Sequence, residues 1–473
     1  MSETPVARST KYAWSDVPRV EPPKRPASNR VADFHRVEIP YDEETASVQA
    51  SRCILCPTPV CVACCPLEAP LVELLRLTAD RQFTEAAELF FASHNIPEIA
   101  SHTCLGGRQC ERVCVLGDKT DPVPVRAITR FLLDYGWKHG LAEPAVAPSK
   151  EQSVAVLGSG IGGLVAADEL SRRGYEVTVF DSRRNPGGRM MNGLPGFRMD
   201  TELVKRRIEL LKQRGIRFRM GVNFGQEVKL SDLRGQFDAV FLGFGRAEPV
   251  PLDIPGGQLK GVHDAYAFMA GDACIDEPAV GVEVRGKRVV VLGAGDTAMD
   301  ALRMAIRYGA AEAVCVYRRD SANLPADAEE YANAVEEGAR FLFLSQPVAL
   351  LGSPSGRVNA IRCRRVELVT DPGALRPEAR SLPDADFEIP ADVVLVAYGF
   401  TAPRLPAFDD FQRVTADAQG RVEVDENRMT SLPGVFAGGS LVRGPVPLVE
   451  VVRDARNAVA SMDRYLKTRR AAP

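Results

Sequence analysis

The pattern of apolar and polar residues changes near residue 150. Before it, segments 71–80 and 84–93 place Leu, Ala and Phe at helical intervals among polar residues, which predicts two amphipathic helices. After it, segment 153–181 runs from a short apolar stretch through several glycines into a helical pattern and a second apolar stretch. This order predicts strand, turn, helix and strand, and segment 287–320 repeats it.

A further apolar strand is predicted near the end of the chain. Segment 432–444 reads LPGVFAGGSLVRG, an apolar run followed by two glycines and a polar residue. Such a strand fits a return to the first of the two strand–turn–helix units. The sequence therefore predicts an α/β fold in which a helical N-terminal domain precedes two Rossmann-like domains, the second inserted into the first.

Length and composition restrict the classes of protein that fit. The chain has 473 residues, which suggests roughly three domains. Its 59 Lys and Arg against 62 Asp and Glu give a net charge of −3, without the basic excess of a nucleic-acid-binding protein. No apolar run approaches the 18 or so residues of a membrane helix, and the N-terminus lacks a signal-peptide pattern. We therefore expect a cytoplasmic, multidomain protein that binds neither nucleic acid nor membrane.

Cysteines are concentrated in one region. Eight of the 11 lie between residues 53 and 114, spaced Cys53-x2-Cys56-x4-Cys61-x3-Cys65-Pro66 and Cys104-x5-Cys110-x3-Cys114, with Cys64 beside Cys65. Disulfides are disfavoured in a reducing cytosol, one zinc ion uses only four ligands, and a cysteine run ending in Cys-Pro is typical of iron–sulfur proteins. Iron–sulfur ligation is the favoured interpretation, with zinc and unmetallated thiols as alternatives. The scattered Cys274, Cys315 and Cys363 are predicted to be structural.

The first glycine-rich turn has the form G-x-G-x-x-G, made by Gly158, Gly160 and Gly163. The first two glycines allow a tight turn and close approach of a pyrophosphate, and the third lets helix and strand pack closely. Asp181 ends the next strand, where an acid suits hydrogen bonds to a ribose 2′-hydroxyl. The pattern predicts dinucleotide binding, against the alternative of a purely structural turn.

Two further pairs indicate that this first dinucleotide is a flavin. Gly188 and Arg189 follow the first unit, and Gly439 and Ser440 follow the late apolar strand. We expect that strand to reach the middle of the cofactor. No residue is predicted to act as an acid or base, because hydride and electron transfer are chemistry of the cofactors themselves.

The second turn predicts binding of a nicotinamide dinucleotide through residues Gly293, Gly295, Asp296, Thr297 and Ala298. Its second strand is followed by Arg318 and Arg319, where the first unit has an acid. Arginine pairs with a 2′-phosphate that an acid repels, so NADP is favoured over NAD. Two alternatives stay open: Asp320 turning to a 2′-hydroxyl, which favours NAD, or a solvated arginine pair.

Taken in order, these motifs resemble the small (beta) subunit of bacterial NADPH-dependent glutamate synthase and its relatives. The resemblance begins at RVEPPKRP (19–26) and runs through RCILC…CCP, GSGIGG, GGRMMNGLPGFRMD, GAGDTAMD, VYRRD and GVFAGG. It implies a helical iron–sulfur domain at 1–150, an FAD domain formed by 151–280 and 395–473, and an NAD(P)H domain at 281–394.

The resemblance also implies which cysteines bind which cluster. Cys53, Cys56, Cys61 and Cys114 would hold one [4Fe-4S] cluster, and Cys65, Cys104 and Cys110 would supply three ligands of a second. The fourth ligand in relatives is a Glu or Gln, but its position here corresponds to Thr129, a poor iron ligand. The second cluster can then be [3Fe-4S], bind water or another side chain such as Cys64, or be absent. Ser440 also departs from relatives, which often have an acid that bonds the flavin ribityl chain.

The function that the resemblance implies is electron input. NADPH would give a hydride to FAD, and single electrons would leave through iron–sulfur clusters to a larger catalytic subunit, most simply that of glutamate synthase, in a hetero-oligomer. One alternative is an enzyme of the same architecture that serves another acceptor, such as a ferredoxin or a sulfur- or formate-linked complex. A non-catalytic scaffold subunit is the other. No H-E-x-x-H or G-x-S-x-G motif supports a hydrolase.

Overall fold

The N-terminal region of the protein, seen in a computed structural model, is helical. The structure describes residues 13–104, 109–141, 146–245, 248–271, 281–370, 373, 376–402 and 404–470. Its N-terminal helices are α1 (Ala13–Asp16), α2 (Ala27–Arg30), α3 (Glu43–Ala50), α4 (Val60–Cys64), α5 (Leu71–Ala79), α6 (Phe83–Ser93), α7 (Pro97–Thr103) and α8 (Val125–Lys138), with a 3-10 turn at Val115–Asp118. Helices α5 and α6 confirm the two predicted amphipathic helices.

Periodic apolar residues explain the packing of this helical domain. Helix α8 buries Ile128, Phe131 and Leu132 on one face, and these side chains meet Phe83 and Phe90 of α6 in one core. Such burial supplies most of the stability of short helices, because propensity alone is marginal at these lengths. The cysteine-bearing segments lie on the border of the same core, where Cys61 of α4 and the loop residues Cys53, Cys65 and Cys114 pack against it.

A five-stranded parallel sheet follows. Its elements in chain order are β1 (Ser153–Leu157), α9 (Ile161–Arg172), β2 (Glu176–Asp181), α10 (Arg189–Asn192), α11 (Thr201–Gln213), β3 (Arg217–Met220), α12 (Leu230–Gln236) and β4 (Ala239–Leu242). The predicted strand–turn–helix–strand unit is thus confirmed as β1, α9 and β2. The sheet's fifth strand comes from the end of the chain, as described below.

A second five-stranded parallel sheet is built from the middle of the chain. Its elements, with those of an attached antiparallel sheet, are β5 (Val262–Asp264), α13 (Ala265–Gly271), β6 (Arg288–Leu292), α14 (Asp296–Arg307), β7 (Glu312–Val316), α15 (Ala328–Glu336), β8 (Arg340–Leu342), β9 (Ser345–Gly352), β10 (Val358–Val369), β11 (Glu378–Pro390) and β12 (Val393–Val396). Strands β5 to β8 and β12 form the parallel sheet in the order β5-β12-β6-β7-β8, while β9, β10 and β11 pair antiparallel beside it.

The chain then returns to the first sheet through β13 (Val435–Ala437), α16 (Ser440–Arg443) and α17 (Leu448–Arg470). Strand β13 pairs with β4, which completes the order β13-β4-β1-β2-β3. This pairing confirms the predicted return of the late apolar strand. Among the described residues, no helix has both the length and the apolar character needed to cross a bilayer.

The strands of the second sheet extend beyond the limits predicted for the inserted domain, 281–394. Strand β5 and helix α13 belong to the second sheet and its core although they precede residue 281. Strand β12 runs across the predicted limit at 394. The sequence hid β5 because it has three residues and a polar end, His263-Asp264, so it shows no periodicity. Of the scattered cysteines, Cys315 and Cys363 are fully buried, whereas Cys274 lies outside the described residues.

Candidate functional site

The three glycines of the first glycine-rich turn have different roles. Backbone conformation or close packing requires two of them, whereas no residue that the structure describes fills the space beside the third. Gly158 has φ +99°, and a Cβ on Gly163 would lie 1.7 Å from the carbonyl oxygen of Gly158. Gly160, in contrast, has φ −69°, and a Cβ there would meet no atom within 4 Å. No side chain caps α9 at Gly160, so the first backbone N–H groups of the helix receive no side-chain acceptor there. That arrangement fits the pyrophosphate of a dinucleotide.

Asp181 is tied to the same turn. Its Oδ2 accepts hydrogen bonds from the backbone N of Ser159 at 2.6 Å and from Ser159 Oγ at 2.7 Å, and its Oδ1 accepts one from Arg183 N at 2.9 Å. The acid at the end of β2 therefore fixes the turn after β1. Each carboxylate oxygen has more than one lone pair, so ribose binding by Asp181 stays a prediction.

Gly188 and Arg189 lie where the two sheets' domains meet. Gly188 has φ +55°, and a Cβ on it would lie 2.8 Å from the Cα of Gly160, so the two glycines are adjacent. The guanidinium of Arg189 stacks at 3.9 Å from the ring centre of Phe400 and 4.7 Å from that of Tyr266. Burial lowers the pKa of Arg189 from its ordinary value. Because both rings follow strands of the second sheet, Arg189 links the two dinucleotide domains.

Gly439 and Ser440 lie at the carboxyl edge of the first sheet. Gly439 has φ +69°, and a Cβ on it would lie 2.8 Å from Val451 Cγ1, so close packing as well as conformation requires glycine. Ser440 is half-buried and begins α16. A Cβ on Gly245, just after β4, would lie 3.7 Å from Ser440 Cβ. The ends of β4 and β13 therefore meet beside the first turn, at the edge where nucleotides bind in parallel sheets.

The second turn repeats the arrangement of the first. Gly293 has φ +112°, and a Cβ on it would lie 2.4 Å from the carbonyl oxygen of Ala397. Gly295 has φ −84°, a Cβ on it would meet no atom within 4 Å, and no side chain caps α14 there. Asp296 Oδ1 accepts a hydrogen bond from Asp327 N at 2.8 Å, Thr297 is half-buried and Ala298 is fully buried. An open cradle thus lies at this helix start too.

Of the three charged residues that follow β7, two make hydrogen bonds to nearby described residues and one does not. Arg318 is exposed and has no hydrogen-bond or ion-pair partner among the described residues. Arg319 Nε donates to the carbonyl oxygen of Pro377 at 2.9 Å. Asp320 Oδ1 accepts from Asn323 N at 3.0 Å and from Asn323 Nδ2 at 2.7 Å, which caps a short 3-10 turn. Arg318 is therefore available for an anion, whereas Asp320 is occupied by its own loop.

Four of the clustered cysteines influence one another. Burial, together with the neighbouring thiols of Cys61, Cys56 and Cys114, raises the pKa of Cys53 to about 11. Burial likewise raises the pKa of Cys61, with smaller contributions from Cys114 and Cys56. The structure thus brings together Cys53, Cys56, Cys61 and Cys114, the set predicted for the first cluster.

The other three cysteines line a cavity at the site predicted for the second cluster, which is called the second cavity below. Cys65, Cys104 and Cys110 are among its lining residues, and so is Thr129. Burial, followed by the effect of Cys65, raises the pKa of Cys104 to about 12, and burial also raises the pKa of Cys110. Thr129 Oγ1 donates to the carbonyl oxygen of Arg126 at 3.0 Å. Cys64 does not line this cavity.

These seven thiols are more ligands than one zinc ion uses. Without a cation, the deprotonated form of these cysteines is unfavourable in both sites, because burial and neighbouring negative charges each raise the pKa of a thiol. Bound iron would lower those pKa values and favour the thiolate form. No group of three or more His, Cys, Asp or Glu side chains within the described ranges is arranged to hold a metal ion.

Two residues of the second cavity were missed by sequence reasoning. His94 and Gln109 line it together with the cysteines. Burial lowers the pKa of His94 to about 4, so its imidazole is neutral at pH 7. Gln109 Oε1 accepts from Cys104 Sγ at 3.5 Å. The position of Gln109 next to Cys110 was a signal in the sequence, whereas nothing local distinguished His94.

Comparisons with known proteins agree with this geometry. Residues 152–461 match the family model "Pyridine nucleotide-disulphide oxidoreductase", and residues 30–141 match "Dihydroprymidine dehydrogenase domain II, 4Fe-4S cluster". Among solved structures, Mycobacterium tuberculosis FprA in complex with NADPH superposes with a TM-score of 0.56 at 21% identity, over 69% of this chain and 86% of that one. This likeness shows the fold alone.

Curated relatives extend over nearly the whole chain. The glutamate synthase [NADPH] small chain of Halomonas elongata is 36% identical over 96% of this chain and 98% of its own length. The putative oxidoreductase AegA of Escherichia coli is 34% identical over 98% of this chain and 72% of its own length. The chain therefore belongs to the pyridine nucleotide-disulphide oxidoreductases and, within them, to the family of the glutamate synthase small chains.

Proposed function

We propose that this chain is an NADPH-oxidising, electron-input subunit that passes electrons through FAD and iron–sulfur clusters to a larger partner. One observation carries the proposal. Gly160 and Gly295 each leave an open cradle that the protein does not fill, in a chain that also gathers two sets of cysteines. The open cradles fit dinucleotides, and the thiols fit inorganic clusters.

The first sheet holds FAD in this proposal. Gly158, Gly160 and Gly163 form the pyrophosphate cradle, and Gly188 lies against it. Asp181 fixes the turn and accepts a hydrogen bond from a ribose hydroxyl. Gly439 and Ser440 lie along the middle of the cofactor, where the Ser440 hydroxyl makes a neutral hydrogen bond. When bound, the flavin accepts two electrons together and releases them singly. The protein's own task is to bind and orient the cofactors.

The second sheet holds NADPH. Gly293, Gly295 and Ala298 form its turn, Asp296 and Thr297 lie in the first helical turn, and Arg318 pairs with the 2′-phosphate. The exposed guanidinium of Arg318 favours NADPH over NADH, because a cation attracts a phosphate and Asp320 already caps its own loop. Arg319, which bonds Pro377, adds positive charge at the same end of β7.

The partner is inferred from the relatives. Several are small chains of NADPH-dependent glutamate synthase, so the leading candidate is a cytoplasmic hetero-oligomer with a larger subunit that converts glutamine and 2-oxoglutarate to glutamate. A second candidate is another acceptor, because the AegA relative is 34% identical, as is the Escherichia coli small chain. Sequence identity therefore does not distinguish between the two candidate acceptors.

Two measurements test the proposal. The purified holoprotein is mixed anaerobically with NADPH or NADH while flavin absorbance is followed, and we expect faster bleaching by NADPH. No bleaching with either nucleotide refutes the proposal. Affinity purification from the native host then identifies the acceptor, since recovery with a glutamate synthase large subunit supports the first candidate and recovery with another reductase supports the second.

A further inference from the structure

The cavity lined by Cys65, Cys104 and Cys110 offers three thiols, and Thr129, which the family resemblance puts in the place of a fourth ligand, is a poor iron ligand. His94, immediately after α6, lines the same cavity. Its side chain is buried, with only 6% exposure, and its ring centre lies 4.5 Å from the ring centre of Phe90. The imidazole is therefore held in place at the wall of the cavity.

Hydrogen bonds determine which nitrogen of His94 carries the proton. Nδ1 lies 3.0 Å from the carbonyl oxygen of Phe90 and 3.0 Å from Ser93 Oγ. A carbonyl oxygen only accepts, so Nδ1 carries the hydrogen and donates it. In a neutral imidazole Nε2 then has a free lone pair. Nε2 has no hydrogen-bond partner in the part of the chain that the structure describes.

The other polar side chains of the cavity are less suitable. Thr129 is a neutral alcohol whose proton goes to the carbonyl oxygen of Arg126. Gln109 offers an amide oxygen, but that oxygen is already paired with Cys104 Sγ at 3.5 Å. Among the described residues that line the cavity, only His94 offers a nitrogen lone pair. Nitrogen is an established ligand of iron–sulfur clusters where histidine replaces cysteine.

We propose that His94 Nε2 is the fourth protein ligand of the second cluster, beside Cys65, Cys104 and Cys110. This inference rests on the proposed function, which places a cluster in the cavity. Metal-binding histidines usually donate their other ring N–H to a backbone carbonyl or carboxylate, as Nδ1 of His94 does to Phe90. The neutral imidazole supplies the donor that Thr129 does not, so a complete four-iron cluster can bind.

The chain offers a matched control for this histidine. His102 is also buried, and its Nδ1 lies 2.8 Å from the carbonyl oxygen of Glu98, four residues earlier, just as His94 is bonded to Phe90. His102 does not line the cavity. A general effect of losing a buried imidazole should therefore appear in His102→Ala as well as in His94→Ala.

The experiment uses the full-length holoprotein, purified anaerobically and reduced with dithionite. Pulsed EPR measures hyperfine coupling of cluster spins to ¹⁴N, repeated with ¹⁵N-histidine labelling, and iron is quantified per flavin. We expect about eight iron atoms per chain and a histidine-nitrogen coupling in the wild type and in His102→Ala. His94→Ala should lose that coupling and about one iron atom, and should show a [3Fe-4S] signal in the oxidised sample taken before dithionite is added. His94→Cys should keep the iron and lose only the coupling.

Three results overturn the inference. The first is a wild type without histidine-nitrogen coupling, or a His94→Ala variant that retains it. The second is loss of iron in Gln109→Ala but not in His94→Ala, which assigns the ligand to Gln109. The third is a wild type with about four iron atoms per flavin. If NADPH still bleaches the flavin in that case, the proposed function stands and only the second site fails.

Discussion

Glu98 and Arg207 form a fully buried ion pair between the helical N-terminal domain and the first parallel-sheet domain. Arg207 Nη2 lies 2.8 Å from Glu98 Oε1, and the side chains of Arg207 and Glu98 are 1% and 0% exposed. Trp137 Nε1 also donates to Glu98 Oε1 at 3.1 Å. The pair joins α7 to α11, so it holds the cysteine-bearing domain against the domain that carries the first glycine-rich turn.

Removing one member of this pair should loosen the domain junction. We expect Arg207→Met to lower the free energy of unfolding by about 3–5 kcal/mol, because Glu98 is left as an uncompensated buried charge. Urea unfolding followed by tryptophan fluorescence measures this effect, since both tryptophans, Trp14 and Trp137, lie in the N-terminal domain. Lys212→Met on the same helix is the control, because its pair with Glu209 is exposed and should cost less than about 1 kcal/mol. Equal losses in the two variants contradict the prediction.

Gly160 and Gly163 should respond differently to the same substitution. In Gly160→Ala the new methyl group meets no protein atom within 4 Å, so the apoprotein should unfold at the wild-type temperature while FAD content falls steeply. In Gly163→Ala the Cβ would lie 1.7 Å from the carbonyl oxygen of Gly158, so the apoprotein itself should be destabilised. Thermal unfolding of the apoproteins and flavin per chain measure both effects. A Gly160→Ala protein that retains full flavin shows that the cradle binds something else.

Arg318 should determine the choice between the two nicotinamide cofactors. A hydrogen bond to a charged group contributes about 1.5–3 kcal/mol, so Arg318→Ala should raise KM for NADPH roughly 10- to 100-fold and leave KM for NADH unchanged. Steady-state kinetics with an artificial electron acceptor measure both constants. Arg340→Ala is the control, because Arg340 is a 69% exposed arginine of the same sheet, 3.4 Å from Glu312. Parallel changes for NADPH and NADH argue against contact with the 2′-phosphate.

His102 should make the folded chain sensitive to acid. Burial, then the charge of Arg36, lowers its pKa from 6.5 to about 4. Because the unfolded chain binds this proton first, stability falls as pH drops from about 6.5 to 4, by roughly 3 kcal/mol, and His102 adds no slope outside that window. Comparing urea unfolding of wild type and His102→Gln at each pH isolates this contribution. If the difference between the two proteins does not change between about pH 7 and 4.5, the imidazole is not kept neutral by the fold.

Local patterns in the sequence predicted the elements that carry local signals. The two glycine-rich units and the helices around residues 71–93 depend on neighbouring residues, and all were found where the periodicity placed them. Strand β5 was missed because its three residues owe their conformation to pairing with β12, far along the chain. The long β11 was missed for a related reason, since it alternates exposed residues with half-buried ones and has no apolar run of its own.

The candidate site shows the same division. Glycines and cysteines were predicted because their spacing is diagnostic within a few residues. The hydrogen bonds from Ser159 to Asp181 and from Asn323 to Asp320 depend on the geometry of their loops. The spacing of residues in the sequence does not predict that geometry. His94 lines the second cavity together with cysteines that are distant from it in the chain, and nothing local in the sequence signals this. Such contacts between distant segments are decided by tertiary packing.

Ser440 offers a test of the flavin site that gains function instead of losing it. Its hydroxyl has no hydrogen-bond partner among the described residues, and it lies at the carboxyl edge of the first sheet, close to Gly245. A carboxylate accepts a hydrogen bond about twice as strong as a neutral acceptor does. We therefore expect Ser440→Asp to lower the Kd for FAD roughly 5- to 10-fold, which corresponds to about 1 kcal/mol.

The matched variant for this test is Ser440→Asn, which has nearly the same shape without the charge. Titration of apoprotein with FAD, followed by quenching of flavin fluorescence, gives Kd for the three proteins. Tighter binding in the aspartate variant alone shows that a charge-assisted bond forms to a hydroxyl of the cofactor. Equal gains in both variants attribute the effect to size, and weaker binding in the aspartate variant places Ser440 beside the phosphates, where a second negative charge repels.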